Sequence, residues 1–148
     1  MEKTSKRKNV FVEGPISPSF ISDSIAKHST KHSIGAHSIF LGQVRDDEKE
    51  GGKVTAIEYT AYTDMAEEVF HTIREETFSK FSLTCMHIYH SLGTVKTGEI
   101  SLFVFVSAPH RKVVFEALEW LVNKIKSDVP VWGKEIISTG NSVWKENK

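Results

Sequence analysis

The stretch EISLFVFVSA (99–108) is the most apolar part of the chain, and it restricts the fold more than any other. Its aromatic and β-branched residues read as a strand. The next segment, PHRKVVFEALEWLVNKIKSD (109–128), carries Val114, Leu118, Leu121 and Ile125 at helical spacing, with Pro109 suited to its first turn. Upstream, NVFVEG (9–14) reads as a short strand. SPSFISDSIAKHS reads as a helix capped by Ser17, with Pro18 at its first position and Phe20, Ile21 and Ile25 on one face. IGAHSIFLGQVR (34–45) alternates as a strand, with Ile39, Leu41 and His37 on one face and Phe40 and Val44 on the other. DDEKEGGK (46–53) reads as a mobile charged loop, and VTAIEYTAY (54–62) as a strand.

TDMAEEVFHTIREETFSKF (63–81) repeats Met65, Ala66, Val69, Phe70 and Ile73 at helical spacing, with Thr63 and Asp64 available as caps. LTCMHIYHSLG (83–93) and VPVWGKEII (129–137) read as strands, TVKTGE (94–99) holds a turn, and the last residues form a tail packed through Trp144. The order β-α-β-β-α-β-β-α-β suits an α+β sandwich, with two or three helices on one face of a mixed sheet. At 148 residues, one domain over 9–148 is expected, behind a flexible tail at 1–8.

Charge and cysteine content narrow the function. Nineteen basic and nineteen acidic residues cancel, which argues against a general nucleic-acid binder but leaves room for a local basic site. Cys85 is the one cysteine, so no intrachain disulfide can form. Within FSLTCMHIY it reads as a buried core residue in a reducing compartment. No run approaches the roughly 18 apolar residues of a membrane span. No apolar signal core follows the basic start MEKTSKRKN, so a cytoplasmic protein is expected.

Metal ligands do not emerge from spacing. His28 and His32 lie four apart with no third ligand near, and His87 and His90 point to opposite faces of a strand. Neither HExxH nor a paired CxxC occurs, so no catalytic metal is expected. The cations are more informative. SAPHRK (107–112) puts His110, Arg111 and Lys112 at a helix N-terminus, where unpaired N–H groups already favour an anion. These residues read either as an anion site or as solvated surface. NKIKSDVPVWGKE (123–135) holds Lys124, Lys126 and Lys134. Lys126 flanks the apolar stripe near Phe115 and Val122, and reads either as a snorkelling lysine or as a shielded amine of lowered pKa. Arg45, ending FLGQVR, either pairs with Asp46 or Asp47 or points into a cleft.

Taken in order, GAHSIFLGQVRDD, IEYTAYTDMAEE, HSLGTVKTGEISLFVFVSAPHRKVVFEA and KSDVPVWGKE resemble the large catalytic subunits of molybdopterin synthase, from about Val10 to Trp144. The resemblance implies an alpha/beta hammerhead-type fold and a homodimer within a heterotetramer. A small ubiquitin-like sulfur carrier would dock at each end, its C-terminal Gly-Gly thiocarboxylate entering the pocket. It implies a sulfurtransferase that converts cyclic pyranopterin monophosphate to molybdopterin, with no cofactor held by this chain. The family's substrate-binding positions fall on Gln43, Val44, Arg45, His110, Arg111, Lys126, Gly133, Lys134 and Glu135, with Lys126 as the lysine essential for turnover. Part of the pocket crosses the dimer interface in the family, so His110 and Arg111 would serve the neighbouring subunit's Lys126.

One position departs from the family pattern. Many members carry a second lysine where this chain has Gly133. Lys124, Lys145 and Lys148 are the cations that could replace it. Two other readings of the chain are a carrier-docking scaffold that has lost turnover and a phosphometabolite-binding module without sulfur chemistry.

Overall fold

The computed structural model describes residues 9–146; the tail expected over 1–8 and the candidate Lys148 lie outside them. Among the described residues the elements run β1 (Phe11–Glu13), α1 (Pro18–Lys27), β2 (Ala36–Gln43), β3 (Glu48–Lys49), β4 (Gly52–Ala61), α2 (Thr63–Lys80), β5 (Cys85–Lys96), β6 (Ile100–Ala108), α3 (Arg111–Asp128), β7 (Val131–Ile137) and β8 (Ser142–Trp144). The strand order is β2-β6-β5-β4-β7-β8, with β1 added to β5 and β3 to β4. Every pair is antiparallel except β1–β5, which makes the sheet mixed.

β5 holds the architecture together. Its first half, Cys85–His90, pairs with β6, while Gly93–Lys96 pairs with β4. Gly93 opens the second half at φ 80, a conformation that glycine adopts without a Cβ penalty. Two apolar cores follow from this division. The larger packs Phe70 and Ile73 of α2 and Val114, Leu121 and Ile125 of α3 against Met86, Ile88, Val104 and Val106. The second gathers Val44, Val54, Ile57, Tyr59, Val95 and Ile137.

Strand alternation sends Phe103 and Phe105 to the other face of β6, where they meet Ile16 and Ile21. The helices therefore divide, α2 and α3 on one face and α1 on the other, whereas a single helical face was expected. β6 is covered on both sides, which accounts for its unbroken apolar run.

Several local expectations change. Ser17 does cap α1, accepting from the Phe20 N–H at 3.2 Å. α2, by contrast, begins after Tyr62 without a side-chain cap, and Thr63 and Asp64 lie within its first turn. Pro109 precedes α3, whose N-cap is His110. The charged loop is a hairpin: β3 and β4 are joined through Glu50 and Gly51, at φ 51 and 76, the left-handed pair a tight two-residue turn requires. In the tail, Val143 joins the second core while Trp144 stays 65% exposed.

Gly35 seats the start of α3 against β2. Its N–H donates to the Ala108 carbonyl at 3.1 Å, and a Cβ there would fall 2.1 Å from the Pro109 carbonyl oxygen. That neighbour is backbone and cannot rotate away. Gly35→Ala is expected to cost about 3 kcal/mol, since overpacking against a fixed group is not relieved by rotamer change. Urea unfolding would show this as a lower midpoint at an unchanged slope; an unaltered midpoint would contradict the close approach.

Candidate functional site

A cavity of about 410 Å³ opens where the two halves of the sheet meet. Its apolar floor includes Phe40, Leu102, Ile57 and Ile125, and its polar groups come from elements spread along the whole chain. Lys126 enters from the last turn of α3. Gln43 and Arg45 come from the end of β2, where a register shift between Gly42 and Gln43 bends the strand. Gly133 and Glu135 come from one face of β7, Lys49 from β3, and Lys145 from just beyond β8.

The cavity collects cations around one buried carboxylate. Glu135 is 4% exposed and accepts from Lys49 Nζ at 2.5 Å. This hydrogen bond raises the Lys49 pKa. Lys126 and Lys145 move the other way. Burial lowers the Lys126 pKa first, and the charges of Lys145 and Arg45 lower it further. Burial also leads for Lys145, whose attraction to Glu135 opposes the repulsion from Arg45 and Lys49. His90, in the cavity wall against Tyr59 and Phe11, is pushed down to about 4, chiefly by burial and then by Lys126 and Lys145. It is neutral at physiological pH. The Tyr59 hydroxyl lies 3.1 Å from Ser101 Oγ, and burial raises its pKa.

Of the expected site residues, Gln43, Arg45, Lys126, Gly133 and Glu135 line this cavity. Arg45 also bonds Asp47 at 3.2 Å, so the ion pair and the cleft reading hold together. Val44 is buried beneath the cavity in the second core and has no access to it. Lys134 faces the other side of β7, its Nζ 4.0 Å from Glu58 on the paired strand. Lys124 lies on the outer side of α3 beside Asp128, Glu76 and Trp120. Three crowded lysines thus resolve into one that enters the cavity and two that do not.

His110 and Arg111 are exposed at the opposite end of α3. Fifteen residues of helix separate Arg111 from Lys126, about 22 Å at 1.5 Å per residue. Within one chain they do not belong to the same pocket.

Lys145 takes the space left by Gly133. A Cβ built on Gly133 would lie 3.5 Å from Lys145 Cδ, and the Lys145 N–H donates to the Gly133 carbonyl at 2.8 Å. The same Cβ would press on Ile57 Cγ2 at 2.8 Å. Residue 133 is small, and the ammonium arrives from the neighbouring strand instead. Reasoning from the sequence missed Lys49, Tyr59, His90, Ser101 and Trp132, all of which line the cavity. Lys49 could have been found by treating Glu50–Gly51 as a hairpin turn; the others depend on strand pairing across long separations.

On the other face of the sheet, His28, Cys85 and His87 bring their ligand atoms within 4.8 Å of one another. No helix among the described residues is long and apolar enough to cross a membrane.

The lowered lysine pKa values make anion binding a proton-linked event. The folded protein binds fewer protons than the unfolded chain between the lowered values and the ordinary 10.5. The cost of burying these ammonium groups, and then of crowding them, therefore acts in full below that window and is relieved as pH rises through it. A bound anion lifts both pKa values again. Calorimetry with sulfate, at a series of alkaline pH values up to 10.5 and in buffers of different ionisation enthalpy, is expected to show net proton uptake, reduced in Lys145→Gln. Zero uptake in the wild type would mean that the amines do not face the anion.

The family model described as MoaE protein matches residues 13–128. The molybdopterin synthase catalytic subunit of Pyrococcus abyssi is 41% identical over 120 residues, spanning 81% of this chain and 80% of its own. That of Culex quinquefasciatus is 40% identical over 119 residues, spanning 78% and 75%. The crystal structure of molybdopterin synthase from Staphylococcus aureus superimposes with a TM-score of 0.81 at 33% identity, covering 93% of this chain and 96% of that one. A complex of subunits 1 and 2 of the molybdopterin-converting factor from Helicobacter pylori shares the fold, with a TM-score of 0.78 at 17% identity over 94% and 90% of the two chains.

Proposed function

The chain belongs to the MoaE protein family, the catalytic subunits of molybdopterin synthase, and from that premise we propose that it moves sulfur from the C-terminal thiocarboxylate of a small ubiquitin-like carrier to cyclic pyranopterin monophosphate. The observation that carries this reading is the convergence of Lys126, Lys145 and Arg45 on one cavity. Both reactants are anions. Two unit charges 4 Å apart interact by about 4 kcal/mol at an effective dielectric of 20, so bringing the reactants together needs a cationic basin. A basin whose cations already repel one another gains most when anions enter.

Lys126 enters from the helix side, and as an ammonium beside the bound anions it can give a proton to a departing oxygen. Its other role is to hold the charge that develops as sulfur attacks. Lys145 supplies the second ammonium that Gly133 cannot, which argues against reading the chain as a docking scaffold that has lost turnover. Trp132, half-exposed at the rim and edge-on to Tyr62 at 5.1 Å, offers a flat apolar surface for the pterin ring. In this reading the chain binds no cofactor, works as a homodimer within a heterotetramer in the cytoplasm, and uses His110 and Arg111 to complete the pocket of the neighbouring subunit.

Two experiments test this. In single turnover with thiocarboxylated carrier, Lys126→Ala is expected to lower the rate about 10³-fold, the usual scale for a lost proton donor, with carrier affinity retained. Lys145→Ala should fall by a smaller factor, and unchanged turnover in Lys126→Ala would remove that amine from the mechanism. The second experiment mixes Lys126→Ala with Arg111→Ala subunits. If the pocket spans two subunits, mixed dimers rebuild one intact site in two, and activity returns to about a quarter of wild type by subunit statistics. A mixture no more active than its components would confine each site to one chain.

A further inference from the structure

We propose that His28, Cys85 and His87 form a binding site for one thiophilic divalent cation, Zn²⁺, on the face of the sheet opposite α2 and α3. His28 is the C-cap of α1, while Cys85 and His87 are two apart on β5 and share a face. The ligand atoms of all three lie within 4.8 Å of one another, and the two Nε2 atoms of His28 and His87 face each other at 2.9 Å. Around a tetrahedral Zn²⁺, ligand atoms stand about 3.4 Å apart, given Zn–N near 2.0 Å and Zn–S near 2.3 Å. Side-chain rotations of about an ångström would close the set.

The surroundings suit a metal. His28 Nδ1 lies 2.7 Å from the Ser24 carbonyl, so this nitrogen carries the proton and Nε2 presents its lone pair to the cluster. The facing His87 nitrogen must then bring a proton into the gap, and a cation can take that proton's place. Lys31 Nζ donates to Cys85 Sγ at 2.9 Å, so the sulfur faces a polar opening and is not sealed among apolar groups. Cys85 and His28 are buried, and the Phe105 ring packs 4.7 Å from His28, walling the site with an apolar group. His37 stands behind, its ring 6.2 Å from His28 and its Nδ1 held by Ser107 Oγ at 2.7 Å. Three protein ligands leave the fourth position to water.

The physical consequence lies in α1, which has no buried residue of its own. A metal would fix its C-terminal end to β5. The site is remote in chemistry from the cationic cavity, and neither reading depends on the other.

The test uses the full chain, stripped with chelator and reduced, then titrated with Zn²⁺ against nitrilotriacetate and with Co²⁺ as a spectroscopic probe. One equivalent should bind, the melting temperature should rise with Zn²⁺ by mass action, and Co²⁺ should give a thiolate charge-transfer band with tetrahedral d–d absorption. Cys85→Ser should abolish that band, and both Cys85→Ser and His87→Gln should weaken Zn²⁺ binding at least about tenfold. His32→Gln, whose side chain is outside the cluster, should bind as wild type. If Cys85→Ser does not fold by circular dichroism, the half-exposed His87→Gln decides. The proposal is overturned by sub-stoichiometric binding, by a Co²⁺ complex without the charge-transfer band, or by Zn²⁺ affinity that survives His87→Gln.

Discussion

One continuous strand, β5, belongs to both halves of the sheet, and the rest of the molecule is arranged around that sharing. Its first half is paired to β6 and roofed by α2 and α3; its second half is paired to β4 and carries the smaller core. A strand that changes neighbours midway cannot be covered evenly. The seam leaves a concavity, and the polar groups that could not be buried in either core line it. The cavity is therefore a product of the topology, and its chemistry is set by whichever side chains the flanking elements deliver.

What they deliver is an excess of positive charge about a single buried carboxylate. Glu135 would be costly at 4% exposure without a partner, and Lys49 satisfies it. Lys126, Lys145 and the Asp47-paired Arg45 share the same cavity, where burial and then their mutual repulsion lower the pKa of both lysines. The cavity thus concentrates positive charge where burial makes it costly. His90, held neutral in the wall, and the Tyr59–Ser101 pair add polar groups that do not alter that balance at neutral pH.

Much of the fold could be read from the chain, because it depends on local periodicity. Val114, Leu121 and Ile125 mark α3, and the apolar run through Phe103 and Phe105 marks β6. Local pattern leaves Lys126 and Arg45 open between surface and cleft, and the family resemblance is what singles them out with Gln43, Gly133 and Glu135, all of which line the cavity. Lys145 was named among other cations but could not be singled out, because its position is fixed by the pairing of β7 with β8 and by the missing side chain at Gly133. Cys85 and His28 looked unrelated for the same reason: 57 residues separate them, and only the packing of α1 against β5 joins them. Hairpin chemistry was present at Glu50–Gly51 but was masked by the surrounding charge, which made the segment look unstructured.

Lys145 reaches the cavity from an outer strand held by three registered pairs, Lys134–Trp144, Glu135–Val143 and Ile136–Ser142. Edge strands with so few partners open more readily than the sheet interior. Opening of that ribbon would carry an ammonium away from the basin and remove one of the charges that lower the Lys126 pKa. The hold of the outermost ribbon on its neighbour and the charge of the chamber it borders are thereby tied to a single residue.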